Sequence, residues 1–166
     1  MENVRVYCEN TQAYESVAMG TTLQELCQKI GCGHVLAALV DNKLKSLDYK
    51  VINPHNVRFV GYDHPDGRRT YIRSLCFVLQ KVVREMYPGK VLVIDYSLPS
   101  GLYCEIRELR PLDDGRPNVY FVTDDEIEAV ENEMRKIIAA DLPFSKEMRS
   151  LDECCEIYGS QHQSEK

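Results

Sequence analysis

Cys27, Cys32 and His34 stand in a C-x4-C-x-H spacing, the arrangement in this chain that comes nearest to part of a metal site. Structural zinc needs four thiolate or imidazole ligands, usually as two paired clusters. The second cluster is missing: His55, His64 and His162 are isolated, and the vicinal Cys154 and Cys155 lack the C-x2-C spacing. No metal is expected. Cys32 and His34 are also the one sequence-local thiol and imidazole pair, but side chains two residues apart near a loop diverge, and a catalytic base is usually brought from elsewhere in the fold. Asp113 and Asp114 precede Gly115, where turn geometry alone favours aspartate. The remaining chemistry is cationic. Arg68, Arg69, Arg73, Lys81 and Arg84 fall on or beside one predicted helix with Phe77. Arg73, Phe77, Gln80 and Arg84 share a flank of its wheel, with Lys81 further round. Two readings stay open. The flank contacts phosphate or RNA with Phe77 as an apolar wall, or it is a solvated face with Phe77 packed under a neighbour and the cations in internal ion pairs.

The elements that would position these residues follow from periodicity. Residues 4–8 alternate as a half-buried strand, and Glu9, Asn10 and Thr11 turn the chain into a second strand around 14–18. Thr22 with Glu25 three residues on is a capping box, and Leu23, Leu26, Cys27 and Ile30 form the stripe of the helix it opens. Gly31 and Gly33 end that helix. Strands at 36–40 and 44–47 flank the turn residues Asp41 and Asn42, and another follows at 57–60. This succession is the β-grasp order. Residues 63–67 are turn-rich and read as a linker. Residues 70–87 then predict a long helix with Ile72, Leu75, Cys76, Leu79, Val82, Val83 and Met86 on its core face, closed by Pro88 and Gly89. Strands are expected at 91–94, 102–106 and 119–122. Thr123 and Glu126 form a second capping box before a helix striped by Ile127, Val130, Met134, Ile137 and Ile138. A short strand at 142–148 and a short helix at 151–158 complete the series, and the 159–166 tail has nothing to bury. The fold class is α+β.

Composition sets the frame. With 166 residues, 44% of them hydrophobic and 28% charged, the chain is globular in character, and it lacks the run of about 18 apolar residues that a membrane span requires. No membrane partner is expected. Seven irregularly spaced cysteines and a start without a charged-then-apolar signal segment point to free thiols in a cytoplasmic setting. The net charge of −6 argues against bulk nucleic-acid binding only superficially. Residues 123–166 carry 12 acidic and 5 basic side chains, whereas residues 1–122 hold one more base than acid. An RNA contact on the Arg73 helix is compatible with that distribution.

Residues 1–62 resemble a TGS domain, a β-grasp module of threonyl-tRNA synthetases, certain GTPases and stringent-response enzymes. The resemblance is carried by Gly20, Thr21, Thr22 and Leu23 and by Ala37, Ala38, Leu39, Val40, Asp41, Asn42 and Lys43. Residues 63–166 resemble part of the editing domain that follows TGS in threonyl-tRNA synthetase and is shared with alanyl enzymes. Here the carrying residues are Ser74, Leu79, Tyr87 and Pro88, then Gly101-Leu102-Tyr103-Cys104-Glu105-Ile106 and Thr123-Asp124-Asp125-Glu126-Ile127. The family uses a His-x3-His pair on the first helix and a Cys-x3-His pair further on. Alignment on Tyr87 and Pro88 puts Arg73 and Phe77 at the helical histidine positions, where neither can act as a base, and the chain holds no Cys-x3-His. No catalytic residue is therefore assigned, although an editing hydrolase fragment is the alternative that the resemblance implies, with Cys76 and Cys104 as the thiols to test. The phrase at 67–79, with the histidines lost, is also similar to proteins in which this pair of domains precedes a P-loop nucleoside or uridine kinase. That resemblance implies a non-catalytic binding or regulatory region. Its partner would be tRNA or another RNA, a nucleotide, or a kinase domain beyond Lys166. The chain has no G-x4-G-K-[ST], so it needs no cofactor itself, and ATP and magnesium would belong only to such a kinase domain.

Overall fold

A computed structural model describes residues 2–99 and 101–158, so the tail predicted at 159–166, with His162, lies outside the described residues. Two compact units, Met1–Leu75 and Cys76–Lys166, divide the chain. The first holds β1 (Asn3–Cys8), β2 (Ala13–Ala18), α1 (Leu23–Ile30), β3 (Ala37–Val40), β4 (Lys43–Lys45) and β5 (Asn56–Val60). Helix α2 (Pro65–Met86) begins in this unit. The second unit holds β6 (Lys90–Leu98), β7 (Gly101–Glu108), β8 (Val119–Tyr120), α3 (Asp124–Ala139) and α4 (Leu151–Tyr158). The α+β class is as expected.

In the first unit the strand order is β2-β1-β5-β3-β4, with β1 and β5 parallel and the other pairings antiparallel. A parallel central pair needs a crossover, and α1 lies within it. The capping box at Thr22 and Glu25 is present in both directions, and Gly31 closes α1 in the left-handed region at φ 68°. Leu23, Leu26 and Cys27 are buried against Val4, Val6, Val57 and Phe59. Asp41 and Asn42, at φ 47° and 63°, make a two-residue hairpin between Val40 and Lys43, the primed geometry that suits the strand twist. The Asp41 carboxylate accepts from the Asn56 amide at 2.9 Å and contacts His55 Nδ1 at 2.6 Å. These hydrogen bonds, the backbone one foremost, hold its carboxyl below the usual range.

Beyond β1 the side chain of Asn10 replaces a strand. Its amide donates to the Phe59 carbonyl at 3.0 Å, and its oxygen accepts from the Phe59 amide at 2.8 Å. Gly67, in the first turn of α2, approaches the β5 exit so closely that a Cβ there would lie 1.9 Å from the Gly61 carbonyl oxygen.

The second unit is an antiparallel sheet in the order β6-β7-β8. Its buried core is small, with Val83, Tyr87 and Ile106 at the centre and Leu79, Met86, Leu92, Tyr120, Val122 and Val130 packed around them. The capping box at Thr123 and Glu126 forms as expected, yet α3 buries no residue fully.

Three local expectations are corrected. Helix α2 starts at Pro65 rather than 70, because proline suits the first helical position, where no amide bond is lost. The third strand of the second unit ends at Tyr120, and Phe121 is 86% exposed. No strand forms at 142–148, where Phe144 instead meets Phe77 ring to ring.

Two substitutions should move stability in opposite senses. Asn10→Ala strands both Phe59 backbone groups and should cost about 1–3 kcal/mol in urea unfolding. The Tyr87 hydroxyl is buried without a hydrogen-bond partner among the described residues, so Tyr87→Phe should leave stability unchanged or raise it by up to about 1 kcal/mol.

Candidate functional site

Helix α2 carries the cationic candidates Arg68, Arg69, Arg73, Lys81 and Arg84 together with Phe77. His64 opens it: its Nδ1 accepts from the Asp66 amide at 3.2 Å and its carbonyl accepts from Arg68 at 2.9 Å. Thr70 and Ser74 fold their hydroxyls back onto the carbonyls four residues earlier, at 2.8 and 3.0 Å, which leaves those polar side chains satisfied without an outside partner. Val78, Val82 and Val83 are buried, whereas Phe77 is 60% exposed.

The cations fall into two groups. Arg68, Arg69 and Arg73 belong to the first unit. Arg68 lies 5.5 Å from the Tyr62 ring centre, and Arg69 meets Asp66 at 3.4 Å. Arg73 is exposed and makes no ion pair among the described residues.

Phe77, Lys81 and Arg84 belong to the second unit and line one groove of about 550 Å³ with Gln80, Glu85 and Lys90. Lys81 pairs with Glu85, and Lys90 pairs with Glu108 while lying 4.5 Å over the Tyr120 ring. Pairs on an exposed helix are worth about 0–1 kcal/mol. A phosphate oxygen, itself a charge-assisted acceptor, competes with such a carboxylate on comparable terms. The acids of α3 pair within α3, Glu131 with Arg135 and Glu133 with Lys136. The Arg69–Asp66 and Lys81–Glu85 pairs of α2 are likewise local to their own helix.

Lys90 was not a sequence candidate. The turn at Pro88 and Gly89 returns β6 along the last turns of α2, and that reversal was the available signal.

The other candidates have structural explanations. The Asp114 carboxylate accepts from the amide and Nε of Arg116 at 3.0 and 2.7 Å across a turn with Gly115 at φ 79°. Cys27 Sγ donates to the Cys32 carbonyl at 3.5 Å. Burial, reinforced by Glu15 and Cys32, pushes the Cys8 thiol up to about 11. Among the described residues no cluster of three or more histidine, cysteine or acidic side chains is placed to hold a metal. Cys104 is also held above the ordinary thiol range, first by desolvation and then by neighbouring Cys76. A raised thiol pKa lowers the thiolate fraction at neutral pH, the opposite of what activates a nucleophile.

No protein-family profile matches the chain. Its similarity lies elsewhere, with threonine–tRNA ligases. The ligase of Desulforamulus reducens is 27% identical over 147 residues, covering 87% of this chain and 22% of the ligase. That of Thermotoga neapolitana is 29% identical over 145 residues, covering 86% and 21%. That of Rubrobacter xylanophilus is 26% identical over 145 residues, covering 86% and 21%. The chain thus spans about a fifth of the length of these relatives. The likeness bears out the synthetase resemblance, and these relatives carry no indication of a kinase context. No helix among the described residues is long and apolar enough to cross a membrane.

The thiol assignment predicts that Cys104, followed by mass spectrometry during iodoacetamide alkylation, reacts more slowly at pH 7.0–8.0 (roughly the range below free cysteine's pKa) than an unstructured peptide thiol. Its rate should climb only at pH above the free-cysteine midpoint.

Proposed function

We propose that this chain is a tRNA-directed region of threonyl-tRNA synthetase type, with residues 1–62 as a TGS-like module and residues 63–166 as part of an editing-like one. It holds tRNA rather than cleaving an ester on it. The observation that carries this reading is the similarity to threonine–tRNA ligases, which runs through 86–87% of the chain. The groove beside Phe77 supports it, since Lys81, Arg84 and Lys90 gather three cations there against the single lining carboxylate of Glu85. Clustered cations of this kind bind a phosphate backbone by releasing its counterions.

The same similarity favours a second reading, aminoacyl-tRNA editing by hydrolysis, because it extends through the editing-like segment. Arg73 and Phe77 weigh against it. Arginine stays protonated and has no acceptor, and phenylalanine moves no proton. The elevated Cys104 thiol adds to that argument. The kinase-linked context rests on the 67–79 phrase alone, and the synthetase-type reading is preferred to it.

One pair of measurements separates the two readings. The chain should retard tRNA in a salt-dependent manner while leaving misacylated threonine-specific tRNA intact over hours. Combined Lys81→Ala, Arg84→Ala and Lys90→Ala substitution should lower the slope of log K against log salt by about 2–3, near one per lost phosphate contact. Turnover that is abolished by Cys104→Ala would establish hydrolysis instead. A tRNA shift unchanged by the triple substitution would remove the groove from the site.

A further inference from the structure

Away from that groove, the first unit exposes two aromatic rings that its core does not use. Tyr62 follows the exit of β5, and Tyr71 lies in the second turn of α2. They are 55% and 42% exposed, with ring centres 5.2 Å apart and planes at 88°. The Arg68 guanidinium stands 5.5 Å from the Tyr62 ring centre. Together with His34 and Leu36 the two tyrosines wall a hollow of about 390 Å³. Three of the four walls are planar rings, and none is a carboxylate or an amide. A second hollow of about 290 Å³ also has His34 in its wall and adds Arg58, His64, Asp63 and Asn10. Because one imidazole lines both, the aromatic hollow opens beside a polar one.

We infer that Tyr62, Tyr71 and Arg68 form a stacking site for an unpaired nucleobase of RNA, with the sugar and phosphate of that nucleotide directed to the polar hollow beside His34. The inference rests on the RNA-binding reading above and extends it to a second site and a specific RNA feature. Several observations favour an RNA occupant. Exposed tyrosines with an arginine over one ring are the usual means of holding single-stranded bases, since every base offers a π-face and the guanidinium adds a cation–π contact. A duplex keeps its bases stacked on each other and cannot present one. Charge agrees: between residues 58 and 73, Arg58, Arg68, Arg69 and Arg73 face two acids, Asp63 and Asp66, and Asp66 already pairs with Arg69. In the polar hollow, Arg58 suits a phosphate, whereas Asp63 suits a ribose hydroxyl better than an anion. The local geometry is rigid on both sides, because Gly67 is pressed against Gly61, and this holds α2 with Tyr71 at the strand exit that carries Tyr62.

The test uses the full chain with three probes labelled for fluorescence anisotropy or used as competitors: a single-stranded RNA 12-mer, the same 12-mer in a duplex, and free nucleoside monophosphates. The single strand should bind more tightly than the duplex. Replacing both rings, Tyr62→Leu with Tyr71→Leu, should weaken single-strand binding about tenfold or more, in line with about 1–3 kcal/mol per stacked base. The salt slope should stay the same, because stacking releases no counterions. Tyr62→Phe with Tyr71→Phe should restore the binding, and a parent-like circular dichroism melt would show that the leucine variant is folded. In the unsubstituted chain, photocrosslinking of a 4-thiouridine 12-mer should map to 62–71, a readout that needs no variant. Single-strand binding that survives the leucine pair, or crosslinks confined to other segments, would overturn this site while leaving the tRNA reading standing. Free nucleotides binding more tightly than the 12-mer would overturn the RNA assignment of the hollow. A parent chain that binds no RNA of any kind would overturn both readings.

Discussion

The approach of Gly67 to Gly61 is the constraint on which the opening turns of α2, those within the first unit, depend. A Cβ at 67 would fall 1.9 Å from the Gly61 carbonyl oxygen, well inside any van der Waals limit, so only glycine allows the helix to start where it does. Start point and rotation then follow together. Each residue of an α-helix advances about 100° around the axis, and a fixed first turn therefore decides which side chains of the helix's first-unit part, up to Leu75, face inward and which face water. In the first unit Arg69 and Arg73 face water; in the second, Val78, Val82 and Val83 are buried and Phe77 and Arg84 are exposed. The same contact sets Tyr71 beside Tyr62.

Polar chemistry along α2 is distributed unevenly. Thr70 and Ser74 are satisfied by carbonyls of their own helix, and His64 is occupied with the first turn. Arg69 and Lys81 meet carboxylates three or four residues away, and Arg68 lies near an aromatic ring. Such contacts orient a guanidinium or ammonium group without consuming its capacity to bind an anion. At 73 and 77, the positions where the synthetase resemblance expects histidines, an arginine and a phenylalanine supply a charge and an apolar wall.

Legibility in the sequence followed the range of the interaction. Both capping boxes, the Gly31 stop and the hairpin at Asp41 and Asn42 involve residues within about four positions of each other, and all were readable as patterns. The failures had another origin. Pro65, Asp66 and Gly67 read as a turn because their local preferences match one, and their helical role appears only with Gly61 packed against them. The expected strand at 142–148 has an apolar pattern but no sheet partner, and Phe144 packs on Phe77 instead. Lys90 escaped notice because a lysine at the start of a strand has no distinguishing neighbour in sequence.

By itself the sequence determined the α+β class, the positions of most helices and strands, and the cation-rich character of α2. These depend on residue type and short-range spacing, which the chain carries wherever it folds. Tertiary structure alone decided that Phe77, Lys81, Arg84 and Lys90 share one groove and that Tyr62, Tyr71 and His34 share another hollow. Those groupings join residues up to 37 positions apart by number, His34 to Tyr71. Bringing the second group together requires the burial of Val57, Phe59 and their neighbours around the parallel pair β1 and β5, a collective packing effect that no local pattern encodes.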